Sequence, residues 1–393
     1  MGIKHAFTSP KSDPADATLV RPTNWNADHT VAGNTIAIGG SNLVSGTGNP
    51  EGSVAATVGS IFMRSDGGGP ASTLYVKTTG SGSTGWSVVS VTPGAAPPTG
   101  NLQAAINAAT AGGTVDATGG TYTGPVTINK ALTLIGGTIN CPAGVSGINV
   151  TANNVTIDGT TIAGAGITGG GEIYGIMCQG TSGAWRTGLT IRNTTITNFA
   201  WDGIFFEYVN GFTIYHNVVN DIKYGAIVGR VVTNGTITFN TVRRIDTNGG
   251  AGDNAYNICV LDFGTAGEFS HDVTIADNIV SDNAWWEGIE THNGRFISFL
   301  RNDVRRCSVN LEITKAGSGS PANCTVTGNY FAEPTTYRAQ GGHPVILYGC
   351  ATAAFTDNVY VGFGAESPPA NAPWFDFNSL STNLTAIGNT VTP

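Results

Sequence analysis

The chain carries little charge and nowhere concentrates it. Of its 393 residues only 11% are charged, 18 basic against 26 acidic, for a net charge of −8. No run of Lys or Arg occurs, so the electrostatic footprint of a nucleic-acid-binding surface is missing and no nucleic-acid partner is expected. No apolar stretch reaches the length of a membrane span, which argues against membrane insertion. The N-terminal Met1-Gly2-Ile3-Lys4-His5-Ala6-Phe7 lacks the apolar core of a signal peptide. Six cysteines (Cys141, Cys178, Cys259, Cys307, Cys324, Cys350) are dispersed without a CxxC pair. In a chain this long they read as small buried apolar residues, not as a disulfide framework or a zinc site. Walker, GxSxG and HExxH motifs are absent, and no cofactor and no metal site is expected.

What remains is glycine, with 56 residues, and a composition 40% hydrophobic. With its Thr, Asn, Val and Ile it favours strands joined by tight turns. One pattern recurs ten times: apolar, then a turn residue three positions on, then apolar two positions later. Its turn residues are Gly137, Thr160, Thr194, Asn217, Asn240, Asn278, Asn302, Asn329, Asn358 and Asn389. Several intervals are 23 or 24 residues and the others are longer, the signature of a solenoid with loops inserted into a fixed unit. Each unit holds three period-two strands, which predicts an all-β, three-sided parallel tube of about ten rungs. Stacked Asn amides would bond along the tube axis, and Asn also tolerates the left-handed conformation of a turn.

Three regions follow. Residues 1–35 are polar and irregular. Residues 36–95 hold short strand candidates (Ser60–Arg64, Thr73–Lys77, Gly85–Val89), a small β head, and Pro93–Thr99 reads as a linker. Residues 96–393 hold the solenoid. It opens with one amphipathic helix, Leu102–Ala109, whose apolar positions 102, 105, 106 and 109 share a face. That helix would cover the first rung.

The cap helix, the Gly120-Thr121-Tyr122 segment after it and the Asn ladder together resemble the right-handed parallel β-helix of the pectate-lyase superfamily. The N-terminal segments Ile3–Phe7, Asn24-Trp25-Asn26-Ala27-Asp28-His29 and Gly59-Ser60-Ile61-Phe62 through Leu74-Tyr75-Val76-Lys77 resemble bacteriophage tail proteins. Together the likenesses imply a tailspike in the virion, made in the host cytoplasm. Residues 1–35 would attach it to baseplate or tail proteins, and its β-helix would bind and depolymerise a bacterial surface polysaccharide. They also imply a homotrimer.

In that family the sugar groove lies along the first-strand face. Extra residues collect just before this strand, between Thr160 and Ile176, Asn240 and Ile258, Asn329 and Val345, and Asn358 and Phe375; loop growth on one face of a solenoid marks its binding face. Alternation predicts one outward column of Met177, Phe205, Ile227, Cys259, Glu290, Glu312, Ile346 and Asp376. A second would hold Gln179, Glu207, Gly229, Leu261, His292, Thr314, Tyr348 and Asn378.

Glu290 and Glu312 then sit on successive rungs, roughly 4.8 Å apart at Cα. Carboxylates that close raise at least one pKa and give a proton donor beside an ionised partner, with His292 to share or orient the proton. Such a pair suits a glycosidase more than a lyase, which needs a cation to neutralise a uronate; Arg295, Lys315 and His292 are candidates for that part. Trp201, Trp285, Trp286 and Tyr348 are candidate sugar-stacking rings. Glu207 and Asp262 are candidate binding acids. Glu207 lies three rungs from Glu290, roughly 14 Å, too far to share its chemistry. The alternative is a non-catalytic tail fibre holding a glycan in the same groove. Arg243-Arg244 and Arg305-Arg306 either hold acidic sugars or form a ladder of structural pairs.

Overall fold

The computed structural model describes residues 35–38, 40–67, 72–89, 100–168, 171–245, 255–262, 269–335, 343–363, 372–376 and 379–392. The segment 1–34, the linker expected at Pro93–Thr99, and Phe377 and Asn378 lie outside them, as does much of the inserted length before the first strands. Contacts divide the chain into Met1–Gly94 and Ala95–Pro393.

The first unit is a five-stranded sheet whose strands neighbour one another in chain order: Thr35–Ile38, Ser41–Gly46, Ile61–Arg64, Leu74–Lys77 and Trp86–Val88. The second and third are parallel and the other neighbours antiparallel. Phe62 is buried at its centre, with Tyr75 and Trp86 edge-on at 6.3 and 6.0 Å. The Glu51 carboxylate accepts from the backbone N–H groups of Gly85 and Trp86, and these bonds hold its pKa below the usual range.

The second unit is a parallel β-helix with three faces. Each inward position stacks on its equivalent in the next rung. One face buries Ile176, Ile204, Ile227, Ile258, Ile289, Leu311 and Val345 in a single column. Another buries Ile157, Ile191, Ile214, Ile237, Ile275 and Phe299, and the third Ile139, Ile162, Ile196, Val219 and Val242. β-Branched side chains suit this setting, because each packs on a copy of itself one strand spacing away. All six cysteines are buried and unpaired. Among the described residues no helix is long and apolar enough to cross a membrane.

The helix at Leu102–Ala108 closes the first rung. Asn101 caps it by accepting from the N–H of Ala104 at 3.1 Å, and Leu102 and Ile106 face the core. Gln103 does more than cover. Its side-chain oxygen accepts from the N–H of Thr127 at 2.6 Å and its amide donates to the carbonyl of Thr127 at 2.9 Å. One side chain thus replaces the missing strand for the first-face edge at Val126–Ile128, whose open backbone groups would otherwise invite pairing.

The Asn column is a continuous buried ladder. The side-chain oxygen of Asn240 accepts from both the backbone N–H and the side-chain amide of Asn217 (3.0 and 2.9 Å), and the Asn217 amide also donates to the carbonyl of Ile191 at 3.0 Å. The same set repeats from Asn240 to Asn278, Asn278 to Asn302, Asn302 to Asn329, Asn329 to Asn358 and Asn358 to Asn389. One expectation is corrected. The left-handed residue at this corner is not the Asn but the one before it: His216, Phe239, Asp277 and Arg301 have φ between 52° and 57°. The Asn side chain supplies hydrogen bonds, and its neighbour absorbs the turn.

Three of the four paired arginines, Arg244, Arg305 and Arg306, resolve as structure at a different corner. Arg244 forks onto Asp221 through Nε and Nη2 at 2.7 Å each, and Arg306 reaches Asp282 and Glu333. Arg305 forks onto Asp303 and lies over the ring of Tyr330.

Candidate functional site

The register of the first face gives three outward columns and corrects the expected ones in three places. Phe205 pairs with Val228, so Val228 occupies the outward column and Ile227 the core. Glu207 pairs with Arg230, not with Gly229. Ile346 pairs with Phe375, not with Asp376. In the rung at 225–230, and again at 375–376, the sequence alignment is one residue out of step, and in a strand a one-residue slip exchanges the two faces. The central column therefore reads Met177, Phe205, Val228, Cys259, Glu290, Glu312, Ile346, Phe375. A third column, unforeseen, precedes it: Asp202, Gly225, Tyr256, Glu287, Val309.

Glu290 stands opposite Glu312 on adjacent strands. Glu287 joins them, and one carboxyl oxygen from each of the three lies within 4.8 Å of the others. Among the described residues this is the one group of acids, histidines and cysteines whose geometry suits a metal ion. Glu287 was missed because it is three residues from Glu290, and strict alternation would put the two on opposite faces. The chain is still turning the corner at this point. In the equivalent place two rungs earlier, the consecutive Ala226 and Ile227 both face the core.

The cluster is nearly shut off from water. The Glu290 side chain is 3% exposed and His292 13%; Glu287 is buried and Glu312 half-buried. His292 Nε2 hydrogen-bonds to Glu290 Oε1. The other Glu290 oxygen is buried and has no hydrogen-bond partner among the described residues. Burial pushes the Glu312 carboxyl up to about 8, and the charge of Glu290 adds to this while His292 opposes it. Burial alone would lower the imidazole of His292, yet the adjacent Glu290 outweighs it and the net displacement is upward. The arrangement favours a proton on the Glu312 carboxyl at neutral pH and favours the charged form of the His292 imidazole beside it.

Before the acids in chain order lies an apolar patch outside the main core. Tyr174, Phe205, Val228, Tyr256, Cys259 and Leu261 are buried in it, with Met177, Trp201, Tyr224 and Trp286 packed on it. Trp201 stacks on Tyr224, centroids 4.6 Å apart and planes within 7°. The indole of Trp286 bonds the hydroxyl of Tyr256, and its backbone N–H donates to Asn283. The Tyr256 ring stands edge-on to His292 at 6.2 Å. Trp286 is therefore part of the site's frame; it and Trp285 beside it are both half-buried.

The other expected residues separate. Glu207 is buried, and both its oxygens are taken, one by Gln179 and one by Arg230. Asp262 is buried and its backbone N–H donates to the carbonyl of His292 at 3.2 Å. Lys315 follows Glu312 on the same rung and lies over the ring of Tyr348, one rung further on, at 5.1 Å. Arg295 begins the strand Arg295–Leu300, around the corner from His292, and covers the Phe269 ring at 3.7 Å. Tyr256 and Arg230 were not foreseen. A correct register for the 225–230 rung would have shown Arg230.

Residues 146–360 match the family described as right handed beta helix region. That is more than half of the chain, and the chain belongs to this family. Its solved relatives are distant. The mannuronan C-5 epimerase AlgE6 A-module of Azotobacter vinelandii is 16% identical, with 74% of this chain and 94% of that chain covered and a TM-score of 0.45. A double mutant of the periplasmic alginate epimerase AlgG is 12% identical over 70% of this chain and 74% of that chain, with a TM-score of 0.51. The enzymatically active domain of tailspike protein 2 from bacteriophage CBA120 is 13% identical over 72% of this chain, with a TM-score of 0.46. The alignment spans 49%, about half, of that chain. At these identities the likeness shows the fold. No curated protein matches the sequence.

Proposed function

We propose that this chain binds a bacterial surface polysaccharide along its first face and cleaves it at Glu290 and Glu312 by glycoside hydrolysis. The observation that carries the reading is the half-buried Glu312 carboxyl, pushed up to about 8 beside a second glutamate hydrogen-bonded to histidine. Glu312 gives its proton to the leaving glycosidic oxygen as the C–O bond breaks. Glu290, bonded to His292, takes the anomeric carbon as a carboxylate. Water then releases the sugar, with Glu312 as the base that recovers the proton. Carboxyl oxygens within 4.8 Å favour this double displacement, since an inverting pair stands roughly 6.5–9.5 Å apart to admit a water. Glu287 adds a third, buried carboxyl beside the pair.

In its specific form this is a phage tailspike. Residues 1–35 would attach it to the tail, and the working protein would be a homotrimer in the virion. Sedimentation of the full chain tests the trimer. Purified protein incubated with capsule and lipopolysaccharide should release reducing ends without absorbance near 235 nm, and Glu290→Gln should lower the rate by about 10²–10⁴-fold at unchanged Tm. New absorbance near 235 nm would mean elimination. Binding with neither signal would mean a non-catalytic receptor-binding fibre.

A further inference from the structure

Among the described residues, five ion-paired arginines face their partner with a fork. Arg64, Arg244, Arg301, Arg305 and Arg306 each contact both oxygens of one aspartate through Nε and an Nη nitrogen. Arg192 divides its contacts between Asp158 and the hydroxyl of Tyr215. Arg230 does neither. It touches Glu207 through Nε alone, at 2.6 Å, and Glu207's second oxygen is already filled by the amide of Gln179 at 2.6 Å. Both Nη groups of Arg230 are left without a hydrogen-bond partner among the described residues, on a side chain 36% exposed.

The surroundings fix where those donors point. The guanidinium carbon lies 5.4 Å from the centre of the Phe205 ring, and Arg230, Glu207 and Gln179 occupy one outward column on successive strands. Arg186 reaches the same column from the next strand, with Nε donating to the backbone carbonyl of Gln179 at 3.2 Å. Its side chain too makes no other hydrogen bond among the described residues. Trp185 meets Tyr208 edge-on at 5.6 Å beside them, both half-buried. With both Glu207 oxygens already hydrogen-bonded and the side chain buried, the open guanidinium edge of Arg230 and ring surface are what this end of the face offers a ligand. A donor-only guanidinium edge on an apolar floor matches a planar acceptor-only group.

We infer that Arg230, with Arg186, is a specificity-determining subsite for a carboxylate-bearing sugar, a uronic acid or a pyruvate ketal, of the bound polysaccharide. The inference rests on the glycan reading of the first face. Arg230 precedes His292 in its column by two rungs, roughly 10 Å along the axis. A chain lying along the face would therefore place its acidic sugar about two residues from the bond that Glu290 and Glu312 break, clear of their negative charge.

The test measures binding to a panel of acidic bacterial capsular polysaccharides and to the same polymers after carbodiimide reduction of their carboxyl groups. Catalytically impaired Glu290→Gln protein keeps the ligands intact. In that background Arg230→Gln should weaken binding to an acidic polymer about 10–100-fold, the loss of a charge-assisted fork, and leave the reduced polymer's affinity unchanged. Arg230→Lys should recover only part. Because Arg230→Gln leaves Glu207 without its cation, Glu207→Gln/Arg230→Gln is measured beside it, with Tm as the check on folding. Equal affinity of the parent for acidic and reduced polymers overturns the inference alone, as does equal loss of both forms in the double variant. Failure of the parent to bind any polymer in either form overturns the glycan reading itself.

Discussion

Replacing Glu312 by Gln tests the electrostatics of the site without any substrate. An ordinary glutamate titrates at 4.5, and Glu312 is pushed to about 8. The folded chain thus holds a proton that the unfolded chain releases. The sign follows from linkage: native binds more protons than unfolded across this window, so stability falls as pH rises from 4.5 and levels off above about 8. At about 1.4 kcal/mol per pH unit, the interval amounts to roughly 5 kcal/mol when complete and roughly 3 kcal/mol by pH 7. Gln mimics the protonated acid and removes the dependence. For a unit of about 300 residues, with an unfolding entropy of about 0.6 kcal/mol/K, 3 kcal/mol corresponds to roughly 5 °C. Differential scanning calorimetry of both proteins from pH 4 to 9 should show nearly equal Tm at pH 4. The variant should then gain on the wild type by several degrees toward pH 8. The charges of Glu290 and His292 both act on Glu312, so an inflection belongs to the group and not to one residue. A Tm difference that stays flat from pH 5 to 9 would refute the account of Glu312 as a buried, proton-holding acid.

Two further substitutions separate buried order from surface order. Asn278→Ala removes the acceptor for the N–H and amide of Asn240 and the donor to the carbonyl of Ile237; with these groups buried, urea unfolding should show a loss of roughly 3–5 kcal/mol. Arg244→Ala breaks a pair whose side chains are 52% and 34% exposed, and the same measurement should show less than about 1 kcal/mol.

Much of the fold could be read from the chain because its information is periodic. The interval of 23 or 24 residues recurs, seven of the ten turn positions are Asn at one offset, and period-two strands return rung after rung, so an error in one rung is outvoted by the others. Leu102–Ala108 was legible for a local reason, its amphipathic spacing. The adjacency of Glu290 and Glu312 followed from the same periodicity, since their two rungs carry no insertion between equivalent strands. Where a rung departs from the average, the reading slipped. Gly225-Ala226-Ile227-Val228 looks like Gly203-Ile204-Phe205-Phe206 shifted by one, because Ala226 fills the place of Gly203. That single residue hid Arg230.

The sequence by itself determined the kind of strands, the stacking of rungs and the two facing glutamates, because all of these are properties of a repeat. Only the tertiary structure decided that Glu287 turns outward at the corner, that Glu207 is consumed by Gln179 and Arg230, and that Trp286 frames the site. It also decided that the acids are buried deeply enough to hold a proton. These depend on where the backbone bends and on how much water reaches a side chain, and neither is periodic.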